Sequence, residues 1–227
     1  MKSIFALLAT ALGAVAASPA IAQDDVPQTP AQAFSGTHLE ASVGWDHLTS
    51  KSLKDIDLSS TATGAADGVA WGGAIGYDMA VGDNLTLGAE FGVYGSSTNW
   101  TNQGLVSGTF NTATVRAGRD IFAGVRLGYA LSPRTQIFTK AGYTNTHFGV
   151  VGTDGTENLY EGINADGFRL GAGIEHKLTR TTYTKLEYDY SHYGSGQFNY
   201  LGATPDASNF DLHNDRHQLM ASVGVRF

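Results

Sequence analysis

The chain has 227 residues and a formal charge of −7, with 29 glycines, 3 Trp, 10 Tyr and 11 Phe, and no cysteine. The missing cysteine excludes a disulfide scaffold, a thiolate metal site and a cysteine nucleophile. The acidic balance argues against nucleic acid as a partner, because phosphate neutralisation needs a basic surface.

The first residues read as an address. Lys2 forms a short positive region, and the apolar run Ile4 to Ala17 is too short to span a bilayer, which argues against a retained anchor helix. Ser18-Pro19-Ala20-Ile21-Ala22 then offers an Ala-x-Ala cleavage pattern, so residues 1–22 are expected to be a signal peptide of an exported protein. Residues 23–35 carry Pro27 and Pro30 among Asp and Gln and are expected to be a periplasmic lead-in that buries no surface.

From Gly36 the chain has a two-residue period, the signature of strands with one apolar face. Leu39, Ala41, Val43 and Trp45 alternate with His38, Glu40, Ser42 and Asp46. Val69, Trp71, Ile75 and Tyr77 follow in the second segment, and Leu85, Leu87, Ala89, Phe91 and Val93 in the third. In the fourth, Ile121, Ala123, Val125, Leu127 and Tyr129 oppose Asp120, Gly124, Arg126 and Gly128. Four more segments begin near Thr135, Gly167, Thr182 and Arg216.

Spacing carries the architecture. The strand starts near residues 36, 68, 85, 119, 135, 167, 182 and 216 make four hairpins of similar length. Long connections (His47–Asp67, Ser96–Gly118, His147–Asp166, Tyr193–Asp215) alternate with tight ones near Gly82, Pro133 and Thr179. A kelch propeller would need four strands per repeat. Two strands per repeat with every long loop at one end predicts an all-β fold: an eight-stranded antiparallel transmembrane up-and-down β-barrel over residues 36–227.

A soluble barrel would turn the apolar face inward. Three features place it outside. Glycine and charges of both signs crowd the polar face, as a narrow lumen requires. Trp45, Trp71, Tyr129, Tyr143, Tyr188 and Tyr190 sit where membrane girdles are expected. The chain also stops on Phe227, with Val225, Val223, Ala221 and Leu219 on the same face.

Four segments carry a family resemblance: Gly124-Val125-Arg126-Leu127-Gly128-Tyr129, Lys140-Ala141-Gly142-Tyr143, Leu186-Glu187-Tyr188-Asp189-Tyr190 and the ending Gly224-Val225-Arg226-Phe227. The chain resembles the small opacity-type, porin-like surface proteins of Gram-negative bacteria over roughly Gly36 to Phe227. The resemblance implies residence in the cell outer membrane and a terminal strand, with Phe227, Val225 and Val223, read by the barrel-assembly machinery. It also implies surface roles such as adhesin or antigen, none of which maps onto a motif here.

An eight-stranded barrel is just wide enough for side chains to fill. The predicted lumen holds Glu40, Asp46, Asp78, Glu90, Asp120, Glu175, Glu187 and Asp189 against Arg126, Lys140, Arg169, Lys177, Lys185, Arg216 and Arg226. Near-balanced buried charge reads as a structural plug, with Glu90 expected to face Arg126 and Glu175 to face Lys185. An ion-selective pore is the alternative function.

A lipid-modifying enzyme is the remaining reading, through Ser191, His192 or His176. Successive strand residues face opposite sides, so Ser191 and His192 are not expected to touch. Gly171-Ala172-Gly173 lacks the third glycine of a nucleotide site, and no cofactor is expected. Asp211, His213, Asp215 and His217 alternate strictly, so an extended backbone would put all four on one face as a weak site for a divalent metal. The expected loops carry ten acids against four bases, Lys51, Lys54, Arg116 and Arg119. That acidity suggests basic protein ligands, and cation bridges to neighbouring lipopolysaccharide.

Overall fold

The computed structural model describes residues 29–52, 62–102, 112–153, 158–194 and 212–227. The expected signal peptide and residues 23–28 of the expected lead-in lie outside them. So do the tips of all four long connections.

Among the described residues the chain forms β1 (Gly36–Ser52), β2 (Ala62–Ala80), β3 (Leu85–Ser96), β4 (Asn99–Asn102), β5 (Thr112–Ser132), β6 (Thr135–Thr153), β7 (Asn158–Lys177), β8 (Thr182–Tyr193) and β9 (Leu212–Arg226). β3 and β4 are two lengths of one stave, interrupted at Ser97 and Thr98, and both pair with β5. The sheet is antiparallel throughout, β1 pairs with β9, and the β3–β5 pairing closes it into an eight-stave barrel.

The tight turns match the predicted ones. Val81 N–H bonds the Leu85 carbonyl and Leu178 N–H that of Thr182, at 2.7 and 2.9 Å. Gly82 has φ +95°, a left-handed turn conformation that costs glycine nothing.

At the opposite end the strands run further than expected. The ladder continues to Ser52↔Ala62 and Thr153↔Asn158, through residues read from sequence as loop. β5 has 21 residues and β7 has 20, where crossing a bilayer takes about 9–11. The surplus forms a wall above the apolar band. Its Thr, Ser and Gly carry no apolar stripe, so the period that marks the membrane segment fades while backbone pairing goes on.

The outer face is apolar. Val43, Trp71, Ile75, Val125, Leu170, Leu186 and Val223 all lie about half exposed on it. Val223 and Phe227 are exposed there, with Val225 partly so. Trp45, Trp71, Tyr129, Tyr143 and Tyr188 are exposed on the same surface, and Tyr190 is half-buried.

The end of the lead-in is packed, contrary to the sequence expectation. Gln32–Phe34 form a 3-10 turn, and Ala31 and Phe34 have no exposed surface. Ala31 N–H bonds the Asp83 carbonyl at 2.9 Å. Arg226 donates to the Phe34 carbonyl and Lys177 to that of Ala33. The Lys177 ammonium lies 5.6 Å from the Phe34 ring centroid. One apolar ring and two carbonyls meeting two cations close the periplasmic mouth.

Candidate functional site

Alternation turns the other side chain of each pair into the lumen, where the buried residues form layers. Nearest the loops, Leu48, Ala117, Phe148, Ala165 and Tyr193 make an apolar cluster, with Phe148 edge-on to Tyr193 at 6.1 Å.

Beneath it lies an ionic layer. Arg216 grips Asp46 with two parallel bonds of 2.7 and 2.8 Å and reaches Asp120 at 2.9 Å. Arg169 also pairs with Asp120 and donates to Ser191 Oγ at 2.8 Å. Thr144 completes Asp120 at 2.7 Å, and Thr98 completes Asp46 at 2.8 Å. Ala70, Tyr94, Phe122 and Met220 form the next, apolar layer.

The middle layer gathers Glu40, Glu90, Glu187 and Asp189 around two ammonium groups. Lys140 contacts Glu90 at 3.0 Å, Asp189 at 3.5 Å and Glu187. Lys185 contacts Glu40 at 2.5 Å and Glu187 at 2.6 Å, and Tyr183 donates to Glu40 at 3.0 Å. Below, Arg126 binds Asp78 at 2.8 Å and Glu175 at 2.6 Å, while Arg226 binds the same two acids at 2.9 and 3.1 Å. His38 sits between Asp78 and Glu90, at 3.4 and 3.9 Å.

The structure thus places Glu40, Glu90, Arg126, Lys140, Arg169, Glu175, Lys185 and Glu187 together in the lumen, each 5% exposed or less. The partners differ from the expected ones. Glu90 meets Lys140 and Lys185 rather than Arg126. Glu175 is the register neighbour of Lys185, yet its carboxylate turns to Arg126 and Arg226. Two arginine forks at one level offer more donors than one ammonium. Lys177 lies half-buried at the periplasmic mouth.

Lumen aromatics were missed in sequence. Arg126 lies 4.2 Å from the Phe138 centroid and Lys140 4.8 Å from that of Phe122. The signal was parity: Phe122 and Phe138 share the phase of Arg126 and Lys140. Lumen glycines make room for these groups. A Cβ on Gly76 would lie 2.5 Å from the His38 ring, and one on Gly224 2.3 Å from that of Tyr183.

On the outer wall, just above the girdle, three carboxylates are each clasped in one way. Asp67 accepts from Trp45 Nε1 at 3.0 Å and contacts His47 Nδ1 at 2.9 Å. Asp166 accepts from Tyr143 and from Asn145 Nδ2, the latter at 2.7 Å. Asp215 accepts from Tyr190 at 2.7 Å and contacts His192 Nδ1 at 2.9 Å. Each clasp joins a girdle aromatic, the polar residue two places on, and an Asp directly across the strand pair.

Two members of the alternating quartet make contacts across to β8. Asp215 belongs to Tyr190 and His192, and His217 Nδ1 meets the Tyr188 hydroxyl at 2.6 Å. Asp211 lies outside the described residues, and His213 stands in β9. Among the described residues no group of three metal-ligating side chains converges. Ser191 faces the lumen and His192 the outer wall, so the two do not meet, and His176 bonds Thr135 at 2.9 Å.

Several solved structures are similar to this chain. Neisserial surface protein A has a TM-score of 0.47 at 14% identity, with 85% of this chain and 98% of that one covered. Ail, the attachment invasion locus protein of Yersinia pestis, gives 0.43 at 12%, covering 85% and 99%. The outer membrane protease OmpT from Escherichia coli gives 0.51 at 9%, covering 85% and 97%. The OmpT likeness speaks to the fold alone. No curated protein matches the chain in sequence. The family model described as the outer membrane protein beta-barrel domain matches residues 5–227, and the chain belongs to that family, in the cell outer membrane.

Proposed function

We propose that this barrel is a non-enzymatic surface protein, a rigid stave wall that holds four acidic extracellular loops as an interaction platform. The observation that carries the reading is the filled lumen. Three ionic layers and two apolar ones fill it, and Phe34 stands at the periplasmic end. Buried charges linked by ion pairs hold one another in place, and moving a solute past them would break those pairs at several kcal/mol each. Extracellular protein ligands with a basic patch fit the acidic loops. Lipopolysaccharide and the barrel-assembly machinery are the partners the location implies.

Planar-bilayer recording on the full chain tests the platform against the small-solute channel. A silent bilayer supports the platform, and discrete conductance steps overturn it. Binding to intact cells by loop-replaced variants then locates the ligand.

One observation favours a second reading, a lipid-modifying enzyme. On the outer wall Thr49 Oγ1 lies 3.3 Å from His47 Nε2, whose Nδ1 is held by Asp67 at 2.9 Å. Hydroxyl, imidazole and carboxylate in that order can activate an oxygen nucleophile. The reading stays second because acyl transfer also needs free donors at the developing oxyanion, and the β1 backbone here is committed to ladders on both sides. Mass spectrometry of lipid A from cells with and without the protein separates the two.

A further inference from the structure

Two bases stand close together in the acidic rim on β5. Ala117 and Asp120 both face the lumen, at 4% and 0% exposure, although three positions apart. Strict alternation forbids this, and the register shows how it happens: between Ala117 and Asp120 the β5 strand holds two residues where β6 holds only His147. Gly118 fits the bulge because a Cβ there would lie 2.6 Å from the His147 carbonyl oxygen. The bulge resets the phase, so Arg116 and Arg119, also three apart, are both exposed on the outside. Bulges re-aim side chains at barrel rims in this way.

The height of the pair on the wall defines what it can meet. Ile121 is the register partner of Asn145, which is the partner of Asp166, so this row is the clasp row at the top of the girdle. Arg119 stands two residues above Ile121, about 7 Å along the strand, and Arg116 stands opposite Gly149. Elsewhere the rim presents Asp67, Asp166 and Asp215. Neither arginine pairs with a carboxylate among the described residues, whereas each of the lumen arginines Arg126, Arg169, Arg216 and Arg226 does.

From this we infer that Arg116 and Arg119 form a site on the outer wall for a phosphate of an outer-leaflet glycolipid. Guanidinium forks match phosphate oxygens in geometry and charge. Their place just above the apolar band selects a membrane headgroup over a soluble anion. The site holds one lipid at one sector, on a rim whose carboxylates elsewhere repel phosphate. The inference deepens the platform reading and rests on it only for the orientation of the barrel; bilayer conductance tests that reading without touching this pair.

The test uses the full chain refolded in phosphatidylcholine vesicles with or without a minor share of bisphosphorylated lipid A. Glycolipid retained after detergent extraction is weighed for the parent and for Arg116→Gln/Arg119→Gln. Both residues are exposed, so the variant is expected to fold, which heat-modifiable migration checks. The parent is expected to retain lipid A and to melt higher in its presence. The variant is expected to retain about fivefold less or lower still, losing that gain while melting like the parent in phosphatidylcholine alone. Retention also falls when the lipid A is dephosphorylated. Equal retention by parent and variant overturns the proposal. So does binding of a soluble sulfated oligosaccharide that depends on the pair while lipid A retention does not.

Discussion

Arg126 on β5 and Arg226 on β9 bond the same carboxylate oxygen, Oδ2 of Asp78, at 2.8 and 2.9 Å, and they also share Glu175. This two-arginine, two-carboxylate square ties the middle of the sheet to its closing strand across the lumen. All four side chains are 3% exposed or less.

Replacing Arg126 with Ala leaves Asp78 and Glu175 with a single guanidinium between them. A broken buried pair costs about 3–5 kcal/mol, so urea unfolding in lipid vesicles is expected to shift toward lower denaturant by that amount. Arg126→Lys restores charge but not the fork and is expected to fall between the two. A midpoint equal to that of the parent would show that water, not the square, satisfies these carboxylates.

The composition of this layer was legible in sequence and its pairing was not. Parity alone assigned Glu90, Arg126, Glu175 and Lys185 to the lumen. The partner each one finds depends on how far the strands are staggered around the closed barrel, which no linear pattern states. Phe34 was illegible for a different reason. A lone aromatic among Pro, Gln and Ala shows no period, and its contacts come from far along the chain, Lys177 over its ring and Arg226 at its carbonyl. The bulge at Gly118 was hidden by the same lack of periodicity, in a stretch read as loop.

Phe34 supplies the second prediction. Its ring is wholly buried at the periplasmic mouth, and deleting a buried aromatic side chain costs about 3–5 kcal/mol. Phe34→Ala is expected to lower stability by about 3 kcal/mol in the same urea assay, and Phe34→Leu by less. Removing residues 23–35 is expected to cost at least as much as Phe34→Ala. No change on truncation would mean that this segment rests on the barrel without holding it.

The seam between the first and last strands supplies the third. Gly36 has φ +112°, and a Cβ there would lie 1.9 Å from the Phe227 carbonyl oxygen. Phe227 N–H in turn bonds the Thr37 carbonyl at 2.9 Å. Gly36→Ala is therefore expected to displace the end of β9, and Phe227→Asp to put a charge on the lipid-facing wall. Both are expected to lower the yield of heat-modifiable, folded protein in the outer membrane, whereas Phe227→Tyr keeps it. Unchanged yield from Phe227→Asp would show that closure is complete without the terminal ring.

The clasps above the girdle act on the orientation of single rings more than on stability. Asp67 is 64% exposed, and exposed contacts of this kind are worth little. What Asp67 does is fix two donors at once, the indole N–H of Trp45 and His47 Nδ1, with the Trp45 and His47 rings stacked at 5.5 Å. Asp67→Ala removes the shared acceptor and frees the indole to turn toward the headgroups. In a background where Trp71 and Trp100 are Phe, Trp45 is the one remaining tryptophan, and its fluorescence anisotropy in vesicles is expected to fall. Asp166→Ala is expected to leave that anisotropy unchanged, since Asp166 clasps Tyr143 and Asn145 instead. A Trp45 signal indifferent to Asp67, or one that responds equally to Asp166, would show that lipid packing and not the carboxylate sets the ring.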